Sequence, residues 1–135
     1  MSHQKSTQPL TPEALAEVRA GIPDDGRLQY VTEAFDALGD PTRARIVYAL
    51  AKRALCVGDI ASIVGVSESA TSHQLRILRD RRVVKAQRHG TSMYYSVDDP
   101  HIAAMIREAE YHAGHAFHRL PDHPYPEVRH EEPKE

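Results

Sequence analysis

The chain has 135 residues and a mass of 15.1 kDa, which corresponds to one ordinary domain. It contains 41% hydrophobic, 27% charged and 6% aromatic residues, and no apolar run approaches the roughly 20 residues that a membrane-spanning helix requires. A membrane protein is therefore excluded. Because the N-terminus lacks a secretory signal pattern and the single cysteine cannot form an internal disulfide, we expect the protein to work in the cytoplasm.

Charge is distributed unevenly along the chain. The whole sequence has a net charge of −2, which taken alone argues against a nucleic-acid partner. Residues 41–95, however, contain ten basic and three acidic side chains, a local net charge of +7. A cationic segment between acidic flanks is typical of a surface that binds phosphates. Six of the nine histidines follow residue 100, which indicates a different chemistry near the C-terminus.

The first part of the chain predicts three helices. Residues 1–24 are expected to form an N-terminal arm with a short helix that begins at Thr11-Pro12-Glu13 and ends near Gly21. A second, amphipathic helix is predicted to end at Gly39, and Asp40-Pro41 begins a third. The apolar positions expected to supply the core are Leu28, Val31, Ala34, Phe35, Leu38, Ala44, Val47 and Leu50.

The middle of the chain predicts a winged helix-turn-helix. A short helix near residues 57–63, a turn at 65–67 and a helix ending near residue 80 form the helix-turn-helix. Two β-rich runs, 83–88 and 92–97, flank His89-Gly90-Thr91 and predict a two-stranded hairpin. A last helix from Asp99-Pro100 to about His118 follows, and residues 119–135 are predicted to be a disordered tail. The expected fold is mainly α with a small β-hairpin, a winged helix-turn-helix over residues 25–118.

The second helix of a helix-turn-helix enters the major groove and contacts base edges, while basic residues around it hold phosphates. In this chain it combines short hydrogen-bonding side chains with arginines, and the hairpin turn adds further polar groups. The predicted DNA-binding residues are Ser67, Ser69, Thr71, Ser72, His73, Gln74, Arg76, Arg79, Arg88, His89 and Thr91. No phosphate-binding glycine loop, HExxH motif or nucleophile elbow occurs, so we expect the protein not to be an enzyme.

Residues 38–115 resemble the ArsR/SmtB family of metalloregulators. The most specific segments are CVGDIA, SESATSHQLRILR and the histidine-bearing last helix, in this order. The resemblance implies a winged-helix repressor, homodimeric through its N-terminal and last helices, that leaves operator DNA when metal binds. It implies double-stranded operator DNA as the partner, and neither a membrane nor a small organic ligand is expected.

The last helix carries four ligand-type side chains, Asp99, His101, His112 and His115. His112 and His115 share a helix face, whereas His101 lies on nearly the same face but about 16 Å from His112 along the axis. One helix cannot gather all of them on one ion, but an antiparallel second copy solves the geometry and gives two symmetric sites per homodimer. Three imidazoles and one carboxylate suit tetrahedral zinc, and the resemblance to the zinc-sensing branch implies the same ligands.

Two further ligand sets stay open. The Ser2 amine and the His3 imidazole resemble the N-terminal donors of nickel/cobalt sensors in the same family, and a six-ligand site favours Ni(II) or Co(II). Cys56 and Asp59 match the place of a second metal site in other relatives, although the partner cysteine of the arm is missing. Because that cysteine is missing, a small buried thiol is the preferred interpretation of Cys56, and a weak second metal site is the alternative.

The expected effector is Zn(II), alternatively Ni(II) or Co(II), and the expected targets are metal efflux or sequestration genes. The resemblance also implies that metal-bound His112 bonds toward the backbone near His73, which couples the metal site to the recognition helix. Two rival functions remain. One is a metal buffer or chaperone without specific DNA binding, and the other is a regulator of this fold that senses no metal.

Overall fold

A computed structural model describes residues 8–118, which form helices and one antiparallel sheet. The elements are α1 (Pro12–Ala20), α2 (Asp25–Leu38), α3 (Pro41–Lys52), β1 (Leu55–Cys56), α4 (Val57–Val64), α5 (Glu68–Asp80), β2 (Val84–His89), β3 (Ser92–Val97) and α6 (Pro100–His118). The mainly helical winged helix-turn-helix is confirmed. Ser2, His3 and the predicted tail lie outside the described residues. None of the described helices is long and apolar enough to cross a membrane.

Polar side chains cap the starts of α1, α2, α3 and α5. The side chain of each capping residue accepts a hydrogen bond from the backbone N–H three residues later. The capping residues and their distances are Thr11 (3.2 Å), Asp24 (2.9 Å), Asp40 (3.0 Å) and Ser67 (3.0 Å). Such a cap contributes about 1 kcal/mol because it satisfies a first-turn amide. The helix starts are therefore set by local sequence.

The sheet has the strand order β1-β3-β2, so β3 lies in its centre. Leu55 pairs with Tyr95 and Cys56 pairs with Tyr94, which adds a third strand to the hairpin. The expectation of a sheet with two strands only was therefore incomplete. A strand of two residues is too short to show the alternation by which strands are predicted. The hairpin turn contains Gly90 at φ +64°, a left-handed conformation that glycine adopts without strain.

The hydrophobic core lies between α3, α4, α5 and the sheet, and α6 covers one side. Its fully buried large side chains include Ile46, Val47, Ile60, Leu75, Leu78 and Val83. Ile102 and Ile106 pack α6 onto this core and are 8% and 7% exposed. The predicted core positions Val47 and Leu50 are buried, and Leu38 and Ala44 pack against the core.

Helix α2 contributes little to this core, because Ala37 is its one buried residue. Leu28, Val31 and Phe35 are 37%, 41% and 62% exposed, so their assignment to the core of one chain was wrong. Their spacing places them on one side of α2, which we call the α2 apolar face. Helix α1 has no buried residue at all. An amphipathic pattern predicts that a helix face is covered, but not whether the same chain covers it.

Candidate nucleic-acid interface and metal ligands

Helices α4 and α5 form the helix-turn-helix. Gly65 ends α4 at φ +75°, and its N–H donates to the carbonyl of Ala61 at 2.9 Å. Ser67 then caps α5 through its hydroxyl. The tight turn leaves residues 68–70 at the start of α5 exposed, as contact with base edges requires.

Most side chains predicted to bind DNA on α5 are exposed, and Gln74 is half-buried. The exposed ones are Ser67, Ser69, Ser72, His73, Arg76 and Arg79. Thr71 is different, because it is 0% exposed and its hydroxyl donates to the carbonyl of Ser67 at 2.8 Å. Direct contact between Thr71 and DNA was therefore a wrong prediction. Thr71, Leu75 and Leu78 share the core-facing side of the helix.

An open polar cavity of about 460 Å³ lies between α5 and β3. Its lining residues are Ser72, Arg76, Arg79, Asp80 and Tyr95. Two guanidinium groups beside hydroxyl groups are suited to a phosphate of the DNA backbone. Sequence reasoning missed Tyr95, because the neighbouring Tyr94 is an equally good strand residue and no signal indicates which of them faces α5.

The tip of the β2–β3 hairpin presents Arg88, His89 and Thr91, all of which are exposed. The His89 ring contacts the Tyr94 ring edge-on, with 5.5 Å between centroids and 78° between planes. This contact restrains the imidazole on the hairpin while the Arg88 side chain stays exposed. The tip of the hairpin therefore presents an exposed cation.

Some basic side chains of the cationic segment do not lie free for phosphates. Arg81 forms an ion pair with Asp36 at 2.7 Å, and Arg82 forms one with Glu33 at 3.0 Å. Arg43 donates to the carbonyl of Ala37 at 2.7 Å. The local charge of +7 therefore overstates the charge available to DNA, because a count along the sequence includes these arginines.

The predicted metal ligands lie along α6. Asp99 precedes the helix and caps it, because its Oδ1 accepts hydrogen bonds from the backbone N–H groups of His101 at 2.9 Å and Ile102 at 3.3 Å. His101, His112 and His115 are exposed. Within residues 8–118 of one chain, no three ligand-type side chains are close enough to hold a metal ion. One chain thus supplies donors whose chemistry fits zinc, but it does not gather them.

Cys56 and Asp59 meet at the first turn of α4. The half-buried Cys56 thiol donates to Asp59 Oδ2 at 3.3 Å. The structure therefore brings these two candidate ligands together. No third ligand-type side chain of the described chain joins them.

A contact that the sequence did not indicate joins α3 to α6. The Tyr48 hydroxyl lies 3.1 Å from Glu110 Oε2 and 3.4 Å from the carbonyl of Ile106, within hydrogen-bond distance of both. Partial burial, followed by the hydrogen bond to Glu110 and its negative charge, raises the pKa of Tyr48. The contact fixes the helix that carries the candidate ligands on the core.

Residues 40–86 match the family model described as bacterial regulatory protein, arsR family. The chain is 45% identical over 106 residues to a transcriptional repressor SmtB homolog of Synechocystis, an alignment that covers 78% of this chain and 80% of the relative. It is 39% identical over 83 residues to the cadmium resistance transcriptional regulatory protein CadC homolog of Staphylococcus aureus. This alignment covers 61% of this chain and 69% of the relative.

Among solved structures, the chain is similar to the homodimeric winged helix-turn-helix DNA-binding domain of a Mycobacterium bovis protein. The TM-score is 0.68 at 26% identity, and the match covers 78% of this chain and 99% of the other. The Synechocystis and Staphylococcus relatives are named as transcriptional regulators and the Mycobacterium bovis protein as a possible one, which confirms the expectation that the chain is not an enzyme. The chain belongs to the ArsR/SmtB family of winged helix-turn-helix, DNA-binding transcriptional regulators.

Proposed function

We propose that the protein is a homodimeric, Zn(II)-responsive repressor that binds operator DNA as the apo dimer and releases it when zinc binds. Its targets would be metal efflux or sequestration genes. The observation that carries this proposal is the distribution of ligands on α6. Asp99 and His101 stand at one end and His112 and His115 near the other, and no described cluster in one chain completes a site.

The dimer is supported by the uncovered α2 apolar face. Phe35 is 62% exposed and Val31 is 41% exposed, and such side chains gain free energy when a partner covers them. On α1, Leu15 and Val18 are 46% and 63% exposed, which extends the argument to the N-terminal helices. The similar Mycobacterium bovis domain is itself described as homodimeric. We therefore propose that the N-terminal and last helices form the dimer interface.

The DNA-binding surface in this proposal consists of α5 and the hairpin. The N-terminal side chains of α5 would contact base edges in the major groove. Arg76 and Arg79 in the cavity beside Tyr95, and Arg88 at the hairpin tip, would hold phosphates. A palindromic operator follows from a two-fold symmetric dimer, because each chain presents the same recognition helix.

The metal site is proposed to take Asp99 and His101 from one chain and His112 and His115 from the other. Three imidazoles and one carboxylate satisfy the four-coordinate preference of zinc. Asp99 already uses Oδ1 to cap α6, so its other oxygen is the one left for a metal. Metal-bound His112 is proposed to bond toward the backbone near His73, and residues 25–118 are proposed to be the unit that both binds DNA and senses metal.

The test of the bridged site is a mixing experiment. A His101→Ala chain is mixed with a His112→Ala chain, and tight zinc sites are counted in the heterodimer. One intact and one doubly defective site are expected, so half of the wild-type tight sites should return. If none returns, the ligands do not bridge two chains. Operator binding is then titrated with Zn(II), Ni(II), Co(II) and Cd(II), and zinc-driven release is expected only where an intact site exists.

A second candidate is a Ni(II)- or Co(II)-responsive repressor in which Ser2 and His3 complete a six-ligand site. Bound Co(II) separates the two candidates, because a tetrahedral site absorbs intensely in the visible range and an octahedral site absorbs weakly. We expect the tetrahedral spectrum, unchanged by deletion of residues 1–10. A metal buffer would take up metal without specific operator affinity, and a regulator that senses no metal would keep operator release unchanged in His101→Ala.

A further inference from the structure

Three arginines connect helix α2 to recognition helix α5 and to the residues that follow it. Arg43 lies on α3, and Arg81 and Arg82 come directly after α5. Arg43, in the first turn of α3, donates from Nε to the carbonyl of Ala37 at 2.7 Å and from Nη2 to the carbonyl of Asp36 at 3.3 Å. Its third group, Nη1, donates to Gln74 Oε1 on α5 at 3.3 Å. One partly buried guanidinium thus holds the C-terminus of α2 and a side chain in the middle of α5 at the same time.

The other two arginines lie where α5 ends. Arg81 Nη1 is 2.7 Å from Asp36 Oδ2, and Arg82 Nη1 is 3.0 Å from Glu33 Oε2. The Arg82 guanidinium also lies over the Tyr30 ring, 4.2 Å from its centroid. We call the contacts of Arg43, Arg81 and Arg82 with α2 the α2 clasp.

The backbone at this end of α5 supports a specific role for the clasp. Arg82 has φ +60° and is the one residue other than glycine in the described chain with a positive φ. A residue other than glycine is strained in this left-handed backbone conformation. Such a conformation persists where contacts with the surrounding structure stabilise it. The backbone hydrogen bonds that close α5 supply part of this support, because the Arg82 N–H donates to the carbonyl of Arg79 and the Val83 N–H donates to the carbonyl of Leu78, both at 3.0 Å. The ion pair with Glu33 and the contact with Tyr30 add side-chain contacts that tie this turn to α2.

We infer that the α2 clasp is a positioning device that fixes the orientation of the recognition helix relative to α2, and that Arg82 acts there rather than on a DNA phosphate. The inference rests on the proposed dimer. On an ideal helix, Glu33 lies about 150° around α2 from Leu28, Val31 and Phe35. Helix α2 therefore presents its apolar face to the proposed partner and its clasp side to α5. A change in how two copies of α2 pack would move the recognition helix with it.

The test exchanges the two charges of one ion pair. Glu33→Arg and Arg82→Glu should each weaken operator binding about tenfold, the size of a typical coupling between sites. The double variant Glu33→Arg/Arg82→Glu should restore most of the affinity. It should also keep the wild-type slope of log affinity against log salt concentration, because the number of phosphate contacts does not change. Glu33→Gln should weaken binding in the same direction by a smaller factor.

Direct phosphate contact by Arg82 gives a different pattern. Arg82→Glu would then weaken binding and lower the salt slope, Glu33→Arg would strengthen binding or leave it unchanged, and the double variant would not recover. A lowered salt slope in Arg82→Glu, unweakened binding in Glu33→Arg, or a double variant that does not recover overturns the inference. The matched control is Arg53→Glu, an exposed charge reversal at the end of α3 outside the clasp, which should not respond to Glu33→Arg.

Sedimentation separates a failure of this inference from a failure of the proposed function. A wild-type chain that is monomeric at the concentrations used refutes the proposed dimer. Dimeric variants in which the charge exchange does not restore binding refute the clasp alone. Exposed ion pairs contribute little to stability, so the variants should unfold thermally with the wild-type midpoint, and a lost affinity is not a loss of folded protein.

Discussion

Replacement of Phe35 by alanine should weaken the dimer without unfolding the chain. Phe35, one of the two phenylalanines of the protein, is 62% exposed in the single chain. Full burial of a phenylalanine stabilises by about 1.5–3 kcal/mol, so covering the exposed part gains about 1–2 kcal/mol per chain. A two-fold interface contains the residue twice, which gives a loss of about 2–4 kcal/mol for Phe35→Ala. The dissociation constant of the dimer should therefore rise about 30- to 700-fold.

The assay is sedimentation equilibrium over a range of protein concentrations, with circular dichroism to verify that the helices remain. Ile63→Ala is the matched control, because Ile63 is 59% exposed on α4, outside the proposed interface. The control should leave the dissociation constant unchanged. If Phe35→Ala dimerises as well as the wild type, or if Ile63→Ala weakens the dimer equally, the α2 apolar face is not the dimer surface.

Five other variants, at four positions, test single steps of the argument. Asp99→Asn should keep the cap of α6 and lose zinc affinity, whereas Asp99→Ala should also lower the free energy of unfolding by about 1 kcal/mol, measured with urea. Thr71→Val should lower that free energy by about 1 kcal/mol and leave the operator affinity of the folded dimer unchanged. Arg88→Ala should lower the slope of log operator affinity against log salt by about one, and an unchanged slope would place Arg88 away from phosphates. The raised pKa of Tyr48 means that the folded chain keeps the phenol proton where the unfolded chain has lost it. Stability from this contact with Glu110 is therefore present below pH 10 and lost as pH rises further, and Tyr48→Phe should flatten that loss in unfolding curves.

Local signals explain why the helix boundaries were predictable from the sequence. Thr11, Asp40 and Ser67 are capping residues whose side chains make the hydrogen bond that their position predicts. The left-handed Gly65 likewise marks the end of α4 before the recognition helix begins. These features need no knowledge of distant parts of the chain, because the interacting groups are three or four residues apart.

Contacts between distant segments were not predictable. Strand β1 exists because Leu55 and Cys56 reach the edge of β3 some forty residues later, and two residues carry no periodicity. The burial of Thr71 follows from which side of α5 faces the core, and its small polar side chain gives a weak signal for that side. From the sequence alone, Arg82 adds to the positive charge expected to bind DNA. In the structure its guanidinium instead forms an ion pair with Glu33.

The ligands of α6 and the apolar face of α2 have the same physical explanation. The sequence shows both patterns clearly. In a single chain, however, Phe35 stays exposed, and the described residues form no cluster of three ligand-type side chains. In the proposed dimer a second copy would complete both, which would tie metal binding to the relative position of the two chains. A bound ion shifts an equilibrium only by its difference in affinity for the two states. Ligands drawn from two chains, as we propose, would provide that difference, because any change in dimer geometry changes their separation, and the proposed α2 clasp would carry the same change to the recognition helix.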